Sequence, residues 1–256
     1  MKIDMNKIKQ RLDNLKNPKK GNANGRDKEF KPSVGDQEIR YVPSADGDPF
    51  KEYFFHWGLG APVMCPQKNF GDKCPVCNYA SSLWKEGTDE SQKQGKSLFA
   101  QNRFFSNVVV RGKEAEGPKL YGYGKTTYQQ LIEYVVDPDY GDITDIESGR
   151  DFKLNYKLAE KKGQFPKTTL TIKGKSSPLS ADKKVVKNIL DEIKPIEDNP
   201  MFKRQSTAEV KELLDAFLDD PRDQTANETS KYGNEDKESN DLPSDLDSAI
   251  DEVINS

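Results

Sequence analysis

Short runs of alternating apolar and polar positions, broken by a few stretches of helical spacing, outline the chain. Residues 37–43 read as a strand ended by Pro43, and residues 53–57 as a second strand that ends near His56. Residues 99–110, with Phe104, Phe105 and Val108 to Val110, predict a long strand, and residues 119–123 another after a Gly-containing turn. Residues 151–158 and 167–173 read as a hairpin joined by Ala159-Glu160-Lys161-Lys162-Gly163. Helical spacing predicts helices over 79–86, over 127–136 (Tyr128, Leu131, Ile132, Val135) and over 182–194 (Val185, Val186, Ile189, Leu190, Ile193). Ser206-Thr207-Ala208-Glu209 is a capping box opening a helix with Val210, Leu213, Leu214 and Phe217. Residues 87–96 read as a polar loop. Short strands with a few helices indicate an α+β or small-barrel fold.

The two ends differ from this middle. Met5, Ile8, Leu12 and Leu15 repeat at helical spacing among lysines, and Gly21-Asn22-Ala23-Asn24-Gly25 reads as a linker. Residues 1–33 hold ten Lys/Arg against four Asp/Glu, a net of +6, whereas residues 219–256 hold three against twelve, a net of −9. Residues 34–218 carry 27 of each sign. These counts divide the chain into a basic arm and linker (1–33), a balanced core (34–218) and an acidic tail (219–256), a layout suited to partner binding. The tail's polarity predicts disorder, with Leu242, Leu246, Ile250 and Val253 spaced to form a short acidic helix on a partner. The whole chain is only 33% apolar with a mean hydropathy of −0.91. No apolar run approaches the roughly 18 residues of a membrane span, and no signal-peptide core follows Met1. The expectation is a soluble protein of a reducing compartment, without a membrane partner.

The one histidine and all three cysteines lie within 22 residues, as His56-x8-Cys65-x8-Cys74-Pro-Val-Cys77. Zinc accepts one imidazole with three thiolates in a tetrahedron, and the short Cys-Pro-x-Cys turn lets two sulfurs reach one ion. Three unrelated buried thiols would scatter along the chain, and a lone disulfide would leave an odd cysteine. Nucleobase deaminases use a related run, but they need His-x-Glu and a Pro before the first Cys. Here the residues are His56-Trp57-Gly58 and Lys73-Cys74. Four protein donors fill the coordination sphere, so the reading is one structural zinc ion held by His56, Cys65, Cys74 and Cys77, in a subdomain of about residues 50–96.

Of 24 aromatic residues, 15 lie between Phe50 and Tyr134. Several adjoin basic residues: Arg40-Tyr41, Lys51 before Tyr53, Trp84-Lys85, Arg103-Phe104-Phe105 and Tyr123-Gly124-Lys125. Single-stranded nucleic acid is bound by such pairing, because aromatic faces stack on bases for roughly 1–3 kcal/mol each while cations follow the phosphates. Trp57, on the strand that carries His56, joins the candidates. The hairpin over 150–175 has eight Lys/Arg against two acids, so Lys161 and Lys162 could wall a groove. Core packing competes for every one of these aromatics. No phosphate loop is present, and with the histidine on zinc no His-based catalytic group remains, which disfavours an enzyme.

Ile39-Arg40-Tyr41-Val42-Pro43-Ser44, His56, Cys65, Cys74-Pro75-Val76-Cys77, Asn107-Val108-Val109-Val110 and Tyr121-Gly122-Tyr123-Gly124-Lys125 together resemble the helix-destabilising single-stranded-DNA-binding proteins of T-even-type bacteriophages. The resemblance spans roughly residues 37–200. It implies an OB-fold-like small β-barrel core with an inserted zinc-binding subdomain, flanking helices, and a cleft for single-stranded DNA. It also implies self-association along DNA through the N-terminal arm, and recruitment of replication, recombination and repair proteins by the acidic tail, in the cytoplasm of an infected bacterial host. Arg40 matches a basic cleft residue of that family, Phe104 and Phe105 its cleft aromatics, and Tyr128 and Tyr156 further aromatics.

Two departures stand out. The family's basic Lys/Arg-Ser/Thr cluster is reduced to Gln101-Asn102-Arg103. Its Lys-Arg-x-Ser-Thr arm motif is missing from the N-terminus, while Lys203-Arg204-Gln205-Ser206-Thr207 occurs near the other end. Residues 203–207 read either as an inter-protomer contact or as a helix start. The favoured function is therefore cooperative, largely sequence-independent single-stranded-DNA binding without catalysis. The alternatives are a zinc-ribbon adaptor that docks proteins only, and a zinc hydrolase or deaminase, which would need an open coordination position.

Overall fold

The computed structural model describes residues 28–44, 46–161 and 165–219. The arm helix over Met5 to Leu15, Lys162 and the acidic tail lie outside the described residues. The strands run in the order β1 (Glu29–Phe30), β2 (Gly35–Tyr41), β3 (Lys51–His56), β4 (Val63–Met64), β5 (Gln101–Val110), β6 (Lys119–Tyr123), β7 (Arg150–Lys157) and β8 (Lys167–Ser176). The helices are α1 (Pro66–Phe70), α2 (Pro75–Glu86), α3 (Asp89–Leu98), α4 (Lys125–Val136), α5 (Lys183–Glu192) and α6 (Thr207–Leu218). The architecture is α+β, as the pattern indicated. No helix among the described residues is long and apolar enough to cross a membrane.

Two compact units share the chain. The sheet unit takes residues up to Pro49, Ser106–Gly122 and Gln129–Pro200; the metal unit takes Phe50–Phe105, Tyr123–Tyr128 and the chain from Met201. Strand β5 is divided between them. The strands of the sheet unit follow the path β1-β6-β5-β2-β7-β8. That path is open among the described residues, with β1 and β8 at its ends, so the expected barrel closure is not seen in its hydrogen bonding. β1 pairs in parallel with β6 through Glu29↔Leu120 and Phe30↔Tyr121, an element the polar composition around it concealed.

β2 is the central strand. Ile39 faces Val110 on β5 and Phe152 on β7, and both neighbours run antiparallel. Its alternation is half-solvated at first, then gives way to continuous burial at Ile39, Arg40, Tyr41 and Val42, as a strand covered on both faces requires. The Tyr41 ring meets Phe152 edge-on at 5.2 Å. A second apolar cluster joins Val42 and Val109 to Leu179 and to Ile189 of α5.

Arg40 and Tyr41 were expected at a DNA surface, but both are fully buried. The Arg40 guanidinium donates to Asp151 Oδ1 at 2.9 Å, to the Asp145 carbonyl at 3.2 Å and to the Ser177 carbonyl and hydroxyl at 2.8 Å. Arg111 donates to the same Asp151 oxygen at 2.7 Å and to the Leu179 carbonyl. One carboxylate thus holds two arginines against the segment that follows β8. Gly149 is a close-approach position in this cluster, because a Cβ there would collide with Asp145 O and lie 2.8 Å from Arg40 Nη1. These contacts make Arg40 a core residue that a phosphate does not reach.

The polar loop read over 87–96 is helix α3. Asp89 to Ser97 offers no apolar stripe, so periodicity could not reveal it. Its signals are a cap and a tight contact: Thr88 Oγ1 accepts from Ser91 N at 3.1 Å, Asp89 and Glu90 occupy the first turn, and Gly95 lets α3 approach α2. A Cβ on Gly95 would fall 2.9 Å from Ala80 O. Residues 203–207 resolve as a helix start: Ser206 and Glu209 exchange side-chain and backbone hydrogen bonds in a complete capping box.

Replacing Asp151 with Ala strips the shared carboxylate from two arginines and leaves a buried, uncompensated positive charge. The expected loss is about 3–5 kcal/mol of unfolding free energy, measured by urea denaturation of the metal-loaded chain; a loss below about 1 kcal/mol would contradict the core role given to Arg40.

Candidate metal centre and nucleic-acid interface

Three elements deliver the four donors. His56 ends β3, Cys65 is the N-cap of α1, and Cys74 is the N-cap of α2, with Pro75 opening that helix and Cys77 in its first turn. Pro at the first helical position supplies a preset φ where no N–H partner is needed. Helix N-termini favour anionic sulfur, and Lys68 N donates to Cys65 Sγ at 3.4 Å. Asn69 ties α1 to β3: its Oδ1 accepts from Phe54 N at 3.0 Å, and its Nδ2 donates to Phe54 O at 2.8 Å.

All four side chains are buried, and their ligand atoms lie within 4.8 Å of one another. His56 Nε2 is 3.2 Å from Cys74 Sγ and 3.7 Å from Cys77 Sγ, and Cys65 and Cys77 sulfurs are 3.5 Å apart. A tetrahedron with bonds of about 2.0–2.3 Å has edges of roughly 3.3–3.8 Å, near these three separations, and one imidazole with three thiolates is a donor set that suits zinc. His56 Nδ1 lies 2.7 Å from the Leu98 carbonyl. That contact assigns the proton to Nδ1 and leaves Nε2 free to ligate, the outer hydrogen bond that metal-bound histidines need. The site is therefore a closed, structural zinc centre, and when bound the ion cross-links β3, α1 and α2.

The charges around the site prepare it for a cation. Burial opposes the charged form of His56, yet hydrogen bonds and charge from Cys65 and Cys74 push its pKa up to about 10. Cys74 is pulled far down by sulfur hydrogen bonds from Cys65 and Cys77, and the Cys77 thiol is pushed far up by those with Cys65 and Cys74. Protons thus hold the places that a metal ion takes.

Around the donors lie Val63, Val76, Ala80, Leu83, Leu98 and Phe99, and also Val210 and Leu214 of α6. The last two come from the far end of the described chain, so the metal unit reaches well beyond the expected stretch of about 50–96. Thr207 Oγ1 donates to Lys73 O at 2.9 Å, and Arg204 pairs with Asp72 at 2.5 Å while its guanidinium lies 4.7 Å over the Phe70 ring. The helix and its cap were legible in the sequence, but the place of that helix in the metal core was not.

The metal unit also gathers most of the aromatic and basic residues singled out above. On β3 and β5 the pairs Lys51↔Phe105, Tyr53↔Arg103 and Phe55↔Gln101 share one face, and Glu52↔Phe104 lies on the other. On the first face Phe202 packs against Tyr53 (4.6 Å), Phe105 (4.8 Å) and Phe55 (6.2 Å). Phe202 was missed from the sequence; its one signal was the apolar Met201-Phe202 pair in a polar, Pro-bounded link. On the second face Phe104 stacks on Tyr128 at 3.8 Å and 6°, and lies near-parallel to Tyr123 at 6.3 Å. Phe104, Phe105 and Tyr123 are buried, whereas Tyr53, Arg103, Lys125 and Tyr128 are half-buried. Gly124 separates Tyr123 from Lys125, and a Cβ there would come 3.8 Å from Arg103 Nη1. Trp57 is 42% exposed beside Phe55, and Trp84 is half-buried against Phe99 in the metal core. In the sheet unit, Tyr156 is half-buried and Lys161 exposed.

Residues 34–219 match the family model described as gp32 DNA binding protein like. A search of curated proteins gave no match.

Zinc uptake is expected to release at least two protons per ion near neutral pH, from the His56 imidazolium and the Cys77 thiol. Because the His56 pKa is raised, its proton competes with the metal throughout the range below about 10, so zinc affinity weakens as pH falls. Calorimetry in buffers of different ionisation enthalpy measures the proton count, and release near zero would contradict this charge state.

Proposed function

The chain belongs to the gp32-like family of DNA-binding proteins, and on that premise we propose that it binds single-stranded DNA cooperatively, largely without regard to sequence, and without catalysis. The observation that carries this reading is the Phe104–Tyr128 stack, with half-buried Tyr128 in the unit that also holds Arg103 and Lys125. Stacked rings beside cations suit unpaired bases and their phosphates. We assign contacts to Tyr53, Trp57, Trp84, Arg103, Lys125 and Tyr128 in the metal unit, with Phe104, Phe105 and Tyr123 supporting them from beneath, and to Tyr156, Lys161 and Lys162 on the β7–β8 hairpin. Zinc fixes the strand ends and helix starts that carry these groups and takes no part in chemistry.

On the same reading the sheet unit is an OB-type barrel whose hydrogen bonding is incomplete, residues 34–218 form the DNA-binding core, and residues 1–33 carry protomer-to-protomer contacts along the strand. Residues 219–256, at net −9, recruit replication, recombination and repair proteins and compete with DNA for basic surface. The setting is the cytoplasm of an infected bacterium.

Titrating the zinc-loaded chain with oligo-dT at two salt concentrations, while following tryptophan fluorescence, tests the reading. Quenching is expected, with an affinity that falls steeply as salt rises. Tyr128→Ala is expected to weaken binding by about 5- to 150-fold, the equivalent of roughly 1–3 kcal/mol per stacked base. Lys125→Ala is expected to lower the salt slope by about one. Absence of salt-dependent quenching would favour the protein-docking adaptor.

A further inference from the structure

A metal donor needs an outer contact that fixes its direction. The His56 ring has the Leu98 carbonyl, and Cys65 Sγ has the Lys68 N–H. Cys77 sits in the first turn of α2, where its own carbonyl accepts from Ser81 Oγ at 2.8 Å. Cys74 differs. It is the N-cap of α2, yet its side chain makes no cap hydrogen bond to that helix. It follows the link Gly71-Asp72-Lys73, which joins the end of α1 to the start of α2.

That link is held from the far end of the described chain. Thr207 Oγ1 donates to the carbonyl of Lys73, 134 positions earlier. Arg204 pairs with Asp72 and lies over the Phe70 ring. The peptide plane that contains Lys73 O also contains Cys74 N, so anchoring the carbonyl limits the directions open to the Cys74 side chain. Asp72 N in turn donates to Pro66 O at 3.3 Å, which carries the anchor back to the helix that Cys65 caps. At the start of α6, Ser206 and Glu209 satisfy the helix end in their capping box. Thr207 can therefore reach across with its hydroxyl, and Arg204 with its guanidinium. Val210 and Leu214, about one and two turns on, enter the cluster around the donors. All of these residues belong to the metal unit.

We propose that Arg204 and Thr207 are positioning residues for the zinc ion. They hold Asp72 and Lys73 so that the Cys74 thiolate faces the other three donors, and the ion leaves only after this contact opens. Lys203-Arg204-Gln205-Ser206-Thr207 thus joins a helix start to a latch on the cysteine turn.

Zinc transfer from the full, metal-loaded chain to a colorimetric chelator, without denaturant or DNA, tests this contact independently of the DNA-binding reading. Arg204→Ala with Thr207→Val should lose zinc about 3- to 50-fold faster, the combined effect of one exposed ion pair and one hydrogen bond on the opening equilibrium. Thr207→Ser keeps the hydroxyl and should lose zinc at the wild-type rate. Lys203→Ala removes an exposed charge beside Arg204 and should also leave the rate unchanged. Arg204→Ala and Asp72→Ala should give non-additive rates, because each removes the same pair. In the cobalt-loaded chain, the thiolate-to-metal charge-transfer bands should shift or weaken in Arg204→Ala/Thr207→Val, a change that lower stability alone does not produce. Zinc loss and cobalt bands equal to wild type in that variant would overturn the proposal. A wild-type rate that falls as protein concentration rises would also overturn it, by assigning the latch to a second copy.

Discussion

Four side chains from three elements must meet at one point, and the metal unit is organised around that meeting. Each donor is set by a local rule that needs no metal: a strand end for His56, and helix starts for Cys65, Cys74 and Cys77. The Leu98 carbonyl adds a fourth element, because its contact with Nδ1 selects the ring nitrogen that faces the sulfurs. The unit is small and its strands are short, so apolar burial alone leaves little margin. A tetrahedral cross-link converts adjacent but independent turns into one rigid body, on which the β3–β5 pair is held.

That rigidity accounts for the division of labour among the aromatic residues. β3 and β5 are covered on both faces, by Phe202 on one and by Tyr123 and Tyr128 on the other. Most rings therefore serve as support, and only those at the margin keep a face toward solvent. The sheet unit uses a different device. Two arginines and one aspartate fasten the strand β2 to the segment after β8, which fixes the polar groups by geometry where apolar packing ends.

The legible parts of the chain were those with strong local signals. The zinc ligands were plain because the sequence has one His and three Cys within 22 residues, and alternation located β2, β3, β5, β7 and β8. Helix α3 escaped because two of its three buried residues, Ser91 and Gly95, carry no hydrophobic signature and the third, Leu98, stands at its end. Arg40 was read as a surface cation because a sequence pattern records charge but not a buried partner 111 positions away. The place of α6 in the metal core was likewise hidden, since Val210 and Leu214 look like any amphipathic stripe. Which aromatic faces stay open was beyond alternation, because both faces of the strand pair are occupied.

The return of α6 to the metal core also sets an order of events during synthesis. Leu214 follows Cys77 by 137 positions, so the four donors emerge from the ribosome long before their last covering side chains exist. At about 5–20 residues per second, the gap lasts on the order of ten seconds. Until α6 is made, the apolar cluster around the donors lacks Val210 and Leu214, so the metal core is completed by the last part of the unit to be synthesised.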